Sequence, residues 1–324
     1  MDEHWERTYP FRALTEAEVN ERLEAIDRSL RVDELVPMAE GKRNTNYRVR
    51  LRGSGSVLLL RLFVPGDDGW RKEAALRKLL EDRVPMQRML AAGDRGDKDD
   101  RAYGIYEFVE GQTLLERIVR DGQAPVPALA RELGRTLAAI HSVRFERHGF
   151  LDERLNVSEP ISPLREWYPM FLNDRARKRL GDERSERILK LAESCRPLLD
   201  GMDRRTARLV HGDFRPTNLI VRDGRVAAVI DWEFAMASHP AGDWGQLFRY
   251  AHLFDAESKK AFAAGYEEGS GERLPPSWEV EGALRDLANL LQMLGDEESK
   301  PNKEADLIRL ISASVRRLEQ EAMG

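Results

Sequence analysis

The sequence predicts an α+β chain of two lobes: a small amino-terminal lobe containing a β-sheet, residues 1–110, and a larger, mainly helical carboxy-terminal lobe, residues 111–324. Three observations predict it. Before Glu110-Gly111 the apolar residues fall mostly in short strand-like runs, and after it they recur at helical spacing. The helical part is broken by one stretch, LVHGDFRPTNLIVRDGRVAAVIDWEFA (209–235), which combines short β-branched runs with a high density of polar groups. A chain of 324 residues is also long enough for two cores.

The elements follow in order. Thr15 and Glu18 form a capping box that opens a helix with Val19, Leu23, Ile26 and Leu30 on its apolar side. Strands are expected over 35–38, over 47–51 with clear alternation, and over 57–64 after Gly-Ser-Gly. Trp70–Leu80 reads as a helix, with Ala74, Ala75 and Leu79 near one face. Strands near Met89 and over 102–109 complete a small sheet, and GDRGDKDDR (93–101) between them reads as an exposed connection. Helices are then expected over 114–119, 129–143, 163–178, 183–199, 243–265, 280–294 and 302–322, interrupted only by the strands of the polar stretch.

Within that stretch, Leu209-Val210, 219–221 and 226–230 read as three short buried strands, and Asp223-Gly224 supplies the positive φ of a tight hairpin. His211 to Asn218 becomes a loop leaving one strand, while Asp231 follows directly on another. The carboxylates of Asp213 and Asp231 and the amide oxygen of Asn218 can then converge at the ends of neighbouring strands. Such hard oxygen ligands suit Mg²⁺ holding phosphate groups. Each residue alone would serve as a turn former. A turn does not need His-Gly-Asp, an Asn five residues after the Asp and a second Asp behind a buried β run.

HGDFRPTN and IDWEFA resemble the H-G-D-x-x-x-x-N and I-D-[WFP]-[ED] signatures of the aminoglycoside phosphotransferases and related small-molecule kinases, relatives of the protein kinases. The resemblance implies a protein-kinase-like fold that moves the γ-phosphoryl of ATP, or of GTP, to a hydroxyl of a small molecule. It implies that Asp213 is the catalytic base, that Asn218 and Asp231 hold Mg²⁺, and that Arg215 touches the transferring phosphoryl. His211 is expected to brace the loop by hydrogen bonds. Glu233 stays open between a further carboxylate at the metal and a solvated loop residue. Asp243, in HPAGDWGQL, is expected to cap a helix and brace the catalytic loop. Two rivals are a kinase acting on protein and a nucleotide-binding module without catalysis. HGD in place of HRD, IDW in place of DFG and the lack of an APE-like segment count against the first; the presence of Asp213, Asn218 and Asp231 together counts against the second.

On the nucleotide side, AEGKRNTNYRVR (39–50) corresponds to the phosphate loop of the resembling families, although Gly-Lys-Arg-Asn reads equally as a hairpin turn. Gly41 would let backbone amides approach phosphate, with Asn44, Thr45 and Asn46 as added donors. Arg61 is the one cation in SVLLLRLF and, if buried, needs a partner. Glu73 on the following helix is expected to be that partner, as in the strand-Lys and helix-Glu pair of kinases; an edge-strand surface position is the alternative. Residues 106–110 are the expected hinge, with backbone groups of Glu107, Phe108 and Val109 facing the base.

Composition narrows the partners. Lys and Arg total 52 against 57 Asp and Glu, a net charge of −5 that offers no broad attraction to nucleic acid or anionic membrane. No run approaches the ~20 apolar residues of a membrane helix, and MDEHWERTYPF does not read as a secretory signal. A cytoplasmic protein is expected. The six histidines lack zinc-ligand spacing, and the single cysteine, Cys195, is expected to pack rather than react. From Asp231 through Lys300 there are 14 acidic against 6 basic residues, a balance that suggests an acidic wall and a cationic acceptor. Solvated helix faces would give the same count.

Overall fold

The computed structural model describes residues 4–38, 41–94, 101–297 and 300–322. Strands β1 (Val32–Met38), β2 (Thr45–Leu51), β3 (Val57–Leu62), β4 (Met89–Gly93) and β5 (Tyr103–Glu107) form an antiparallel sheet in the order β1-β2-β3-β5-β4. In β2 the period-two pattern buries Thr45, Tyr47, Val49 and Leu51 on one face. Helix α1 (Glu16–Leu23) closes that face, and its capping box forms as expected: Glu18 N donates to Thr15 Oγ1 and Thr15 N to Glu18 Oε2. The helix stops short of Ile26 and Leu30, which pack on the small lobe's core from the turns beyond it.

Helix α2 (Trp70–Leu80) links the lobes. Its Leu76 and Leu80 enter the core of the large lobe rather than that of the sheet. Ala39 and Glu40 of the expected phosphate loop, and residues 95–100 of the β4–β5 connection, lie outside the described residues.

The large lobe begins with β6 (Gln112–Thr113), α3 (Leu114–Asp121) and α4 (Pro127–His141), then β7 (Arg144–Phe145), β8 (Gly149–Leu151) and β9 (Val157–Pro160). Next come α5 (Leu164–Phe171), α6 (Asp174–Leu180), α7 (Asp182–Ser194) and α8 (Arg196–Asp203). Strands β10 (Ala207–Val210), β11 (Leu219–Arg222), β12 (Arg225–Val229) and β13 (Met236–Ser238) precede α9 (Ala241–Leu247), α10 (Ala256–Ser270), α11 (Trp278–Leu294) and α12 (Pro301–Ala322).

Three expected helices are therefore each divided. Over 163–178 the backbone leaves the helix at Leu172, and Asn173 caps α6 by accepting from Ala176 N at 3.0 Å. Over 183–199 the break falls at Cys195, with Pro197 in the first turn of α8, where a missing N–H costs nothing. Over 243–265 a turn at Ala251–Leu253 intervenes, and Asp255 caps α10.

The strands also differ from expectation. β10 pairs with β7 and β13 in a sheet ordered β7-β10-β13-β8-β9, while β11 and β12 form a hairpin joined to β6. The Asp223-Gly224 turn has the expected positive φ at both residues, 51° and 75°. The loop at 211–218 and Asp231 thus leave different sheets, not neighbouring strands of one. The added strands are two to four residues long, too short to show a period.

Glycines set the helix packing behind the loop. A Cβ on Gly245 of α9 would meet the carbonyl of Gly282 in α11, and one on Gly265 of α10 would meet the carbonyl of Arg131 in α4. Both helix pairs approach backbone to backbone, which holds α9 in one position.

Candidate active site

Strand β10 delivers the chain to His211 with Leu209 and Val210 buried. Gly212 turns it with φ 78°, and a Cβ there would strike the Phe234 carbonyl. The His-Gly-Asp order thus needs its glycine for two reasons, positive φ and close approach. His211 is buried and braces the loop as expected: Asp213 N donates to its Nδ1 at 3.2 Å, which leaves Nε2 to donate to Ile230 O at 3.0 Å. Ile230 N in turn donates to Asn218 O at 3.0 Å. These bonds join the loop that carries Asp213 and Asn218 to Ile230, the residue before Asp231.

Asp243 lies in the first turn of α9 and does not cap it; the cap position is Pro240. Its expected bracing role is present. Asp243 Oδ2 accepts from His211 N at 2.8 Å and Oδ1 from Gly212 N at 2.9 Å, while His141 Nε2 donates to Oδ2 at 3.0 Å. Gln246, one helical turn later, accepts from Phe214 N and donates to Gly212 O. Spacing i,i+3 places Asp243 and Gln246 on one face, the signal by which Gln246 could have been found.

Asp213 is held from two sides. Arg215 donates from Nε and Nη2 to its two carboxylate oxygens at 2.5 and 2.7 Å, and Asn218 Nδ2 donates to Oδ2 at 2.8 Å. Burial pushes the Asp213 carboxyl up, but the charges of Arg215, Arg249 and His211 outweigh it and hold the group below its usual range. In this structure Arg215 grips the carboxylate of Asp213. The amide nitrogen of Asn218 is committed to Asp213, so its oxygen is the end that could face a cation.

Asp231 sits at φ 62°, a left-handed conformation that turns it out of β12. Arg61 Nη2 donates to Asp231 Oδ1 at 2.5 Å, whereas Glu73 lies 3.9 Å from Arg61 Nη1. The buried strand cation therefore has two partners, and the nearer is Asp231 rather than the expected Glu73. Burial opposes the Arg61 charge, but the two carboxylates outweigh it and its pKa is raised. Glu73 also accepts from Tyr106 OH at 2.9 Å. The surface-strand alternative for Arg61 fails, since its side chain is 6% exposed.

Asn218 and Asp231 offer one amide and one carboxylate oxygen, the hard donors a divalent cation of the Mg²⁺ type takes. No group of three or more His, Cys, Asp or Glu able to hold a metal occurs among the described residues. The donor set fits a cation that completes its shell with phosphate oxygens and water.

The phosphate-loop candidates divide. Gly41 is tight, with Asn44 O and Asn46 Nδ2 each 3.0 Å from where a Cβ would stand. Asn44 Nδ2 reaches Glu233 at 3.5 Å, and its buried Oδ1 has no hydrogen-bond partner. Thr45 and Asn46 are already engaged: Thr45 points into the lobe, accepting from Arg12 N, and Asn46 Oδ1 accepts from Arg61 Nε. Glu233 is no solvated loop residue, because it pairs with Arg43 at 3.2 Å across the cleft. Its burial, with Asp231 beside it, raises its carboxyl to about 7. Arg43 was hidden in Gly-Lys-Arg-Asn, where a surface turn explained it equally well. At the hinge, Glu107 N donates to Arg88 O, Glu107 O accepts from Gln87 Nε2, and Phe108 N donates to Val57 O.

Residues 34–281 match the model of the phosphotransferase enzyme family. The chain belongs to that family. Solved structures share its fold. A ternary complex of a thermostable aminoglycoside phosphotransferase APH(4)-Ia mutant with AMP-PNP and hygromycin B superposes with a TM-score of 0.66 at 19% identity, covering 93% of this chain and 98% of that one. The GDP and kanamycin complex of APH(2'')-IIIa gives 0.65 at 19% identity, with 94% and 97% covered. The apo APH(4)-Ia mutant gives 0.64 at 18% identity, with 94% and 99% covered. The α+β, protein-kinase-like architecture is therefore established for this family member. No curated protein sequence matches the chain significantly.

Proposed function

We propose that this phosphotransferase-family chain transfers the γ-phosphoryl of a nucleoside triphosphate, ATP or GTP, to a hydroxyl of a small molecule. The reading is supported by the loop that holds Asp213 and Asn218 together, bonded through Ile230 to the strand that leads into Asp231, with Arg61 buried against Asp231.

Asp213 orients the acceptor hydroxyl and takes its proton as the acceptor oxygen bonds to the γ-phosphorus and the bond to the bridging β–γ oxygen breaks. Asn218 holds the carboxylate in position for that proton. Asn218 and Asp231 would hold Mg²⁺, which supplies neutralisation of phosphate charge. Binding of the nucleotide draws Arg61 from Asp231 toward phosphate and Arg215 toward the transferring group. Gly41 and Asn44 line the phosphates. Thr45 and Asn46 shape the loop from behind, and Glu73 positions Arg61. With Glu107 N and O and Phe108 N engaged in the sheet and its flank, base recognition falls to Phe108 O and the backbone of Val109. Residues 1–110 form the nucleotide lobe and 111–324 the catalytic and acceptor lobe; the setting is cytoplasmic, and no described helix is long and apolar enough to cross a membrane.

The test is ADP release over a panel of hydroxylated metabolites and antibiotics, comparing the native chain with Asp213→Asn. The variant should lose about 10²–10⁴-fold in kcat, the scale of acid–base catalysis, while nucleotide affinity stays within a few fold. Full turnover by Asp213→Asn would remove the residue from this role.

A further inference from the structure

The segment ahead of α1 passes from one lobe to the other between two adjacent residues. Trp5 and Glu6 stand on the large lobe, at the start of α12. The Glu6 carboxylate accepts from Asn302 N at 2.9 Å and from Lys303 N at 3.3 Å, first-turn amides that the helix itself cannot satisfy. Trp5 Nε1 donates to Asp306 Oδ2 at 3.1 Å, one turn further along, and its ring packs on the large lobe's core.

From Arg7 onward the same segment is bonded to the small lobe. Arg7 donates from Nη1 to Gly41 O and from Nη2 to Asn44 O at 3.0 Å, and Thr8 N donates to Lys42 O at 2.8 Å. Arg12 N then donates to Thr45 Oγ1 at 3.1 Å. Arg7 Nε goes to Tyr9 O, so among the described residues the hydrogen bonds of this guanidinium are all to main-chain carbonyls. A guanidinium matches carboxylates and phosphates best; this one fixes the shape of a loop instead. A trans peptide is planar, with its C=O and N–H pointing opposite ways. The carbonyls of Gly41 and Lys42, directed at the segment, therefore turn the N–H groups of Lys42 and Arg43 to the other side of the loop. Successive N–H groups turned to one side are the element from which anion-binding nests are built. Across the cleft the loop is met by Glu233, which pairs with Arg43 and lies 3.5 Å from Asn44 Nδ2.

We propose that residues 5–12 are a second connection between the lobes, beside the expected hinge at 106–110, and that Arg7 is a positioning residue for nucleotide phosphate, holding the 41–44 loop in its phosphate-receiving shape from an anchor on α12. The phosphate part rests on the phosphotransfer reading; the connection between the lobes does not. Arg7 touches no phosphate in this scheme and acts through the carbonyls of Gly41 and Asn44. A loop already shaped for its ligand loses less freedom on binding, and affinity is higher for it.

Two measurements on the full chain test it, with Arg7→Ala, or the milder Arg7→Gln if the first does not fold. In hydrogen exchange without nucleotide, the variant should raise exchange over 41–45 several-fold with core amides unchanged. Glu6→Ala should raise it at 41–45 as well as at 302–304, because the grip is anchored there. Calorimetry then compares Mg-ATP with adenosine, which carries the base without phosphate. The Arg7 variant should weaken Mg-ATP about tenfold or more and leave adenosine within about twofold. Native exchange over 41–45 in a folded Arg7 variant, an effect of Glu6→Ala confined to 302–304, or equal losses for the two ligands overturns the proposal. The native chain's own Mg-ATP titration is the separate arm: no binding there strikes the phosphotransfer reading and the nucleotide role of Arg7 with it, while the exchange result still decides whether residues 5–12 join the lobes.

Discussion

Arg61 is a buried strand cation whose position is set by carboxylates from both lobes. It sits in a strand with almost no exposed surface, held by Asp231, Glu73 and Asn46. Removing it leaves Glu73 buried without a counter-charge, so Arg61→Ala should cost about 3 kcal/mol or more, on the scale of a broken buried pair. Urea unfolding of the nucleotide-free chain measures this, and a loss under about 0.5 kcal/mol would show the pair to be dispensable. The buried histidines make a second residue-scale case. Burial lowers the pKa of His141 and of His239, where the charge of Arg205 adds to it. Below the ordinary histidine pKa near 6.5 the unfolded chain binds protons that the native state refuses, so stability is full at higher pH and falls as pH drops through that value. The urea midpoint at pH 5.5 should lie below that at pH 7.5, and His239→Gln should flatten the difference.

At the scale of elements, close helix contacts decide where the loop-bracing groups stand. Helices α4 and α10 cross with Gly265 against the Arg131 carbonyl. His141 at the end of α4 is bound on one side to Tyr266 of α10 and on the other to Asp243 of α9. Packing thus passes from a helix pair to the loop at 211–218 through one histidine. Gly265→Ala should force α4 and α10 apart and cost about 1–3 kcal/mol, the range of overpacking. A denaturant midpoint equal to the native one would mean that the crossing relaxes freely. The sequence announced the helices themselves by period and caps. It did not announce the division of 163–178 at Leu172, because apolar spacing continues across the break and only the Asn173 cap marks it.

Across the whole molecule, the lobes are tied by contacts between residues far apart in sequence. Lys72 Nζ donates to the carbonyls of Glu233 and Ala235, and Arg43 bridges Asp67 and Glu233. Met86 also bridges to Val229. Arg43→Ala should therefore free the turn at 41–46 from the segment around Asp231 and Glu233 and raise hydrogen exchange over 41–46 several-fold, with core amides unchanged. Exchange that matches the native chain would place the clasp elsewhere. Exposed single pairs are worth little, about 0.2–1 kcal/mol, so the effect is local order rather than global stability.

Residues 211–218 and 230–235 were legible in the sequence as a family signature, because its residue types and spacing lie along a single segment. The same holds for β2 and α1, whose alternation and capping box are local. Tertiary structure alone decided that Arg61 faces Asp231 more closely than Glu73, that Thr45 turns inward, and that Glu233 grips Arg43. It also decided that the acidic excess of 231–300 is answered by arginines from α4, α12 and the turn after α8. Such pairings depend on which distant segments the cores bring together, and charge counts along a chain contain no record of partners supplied by other elements.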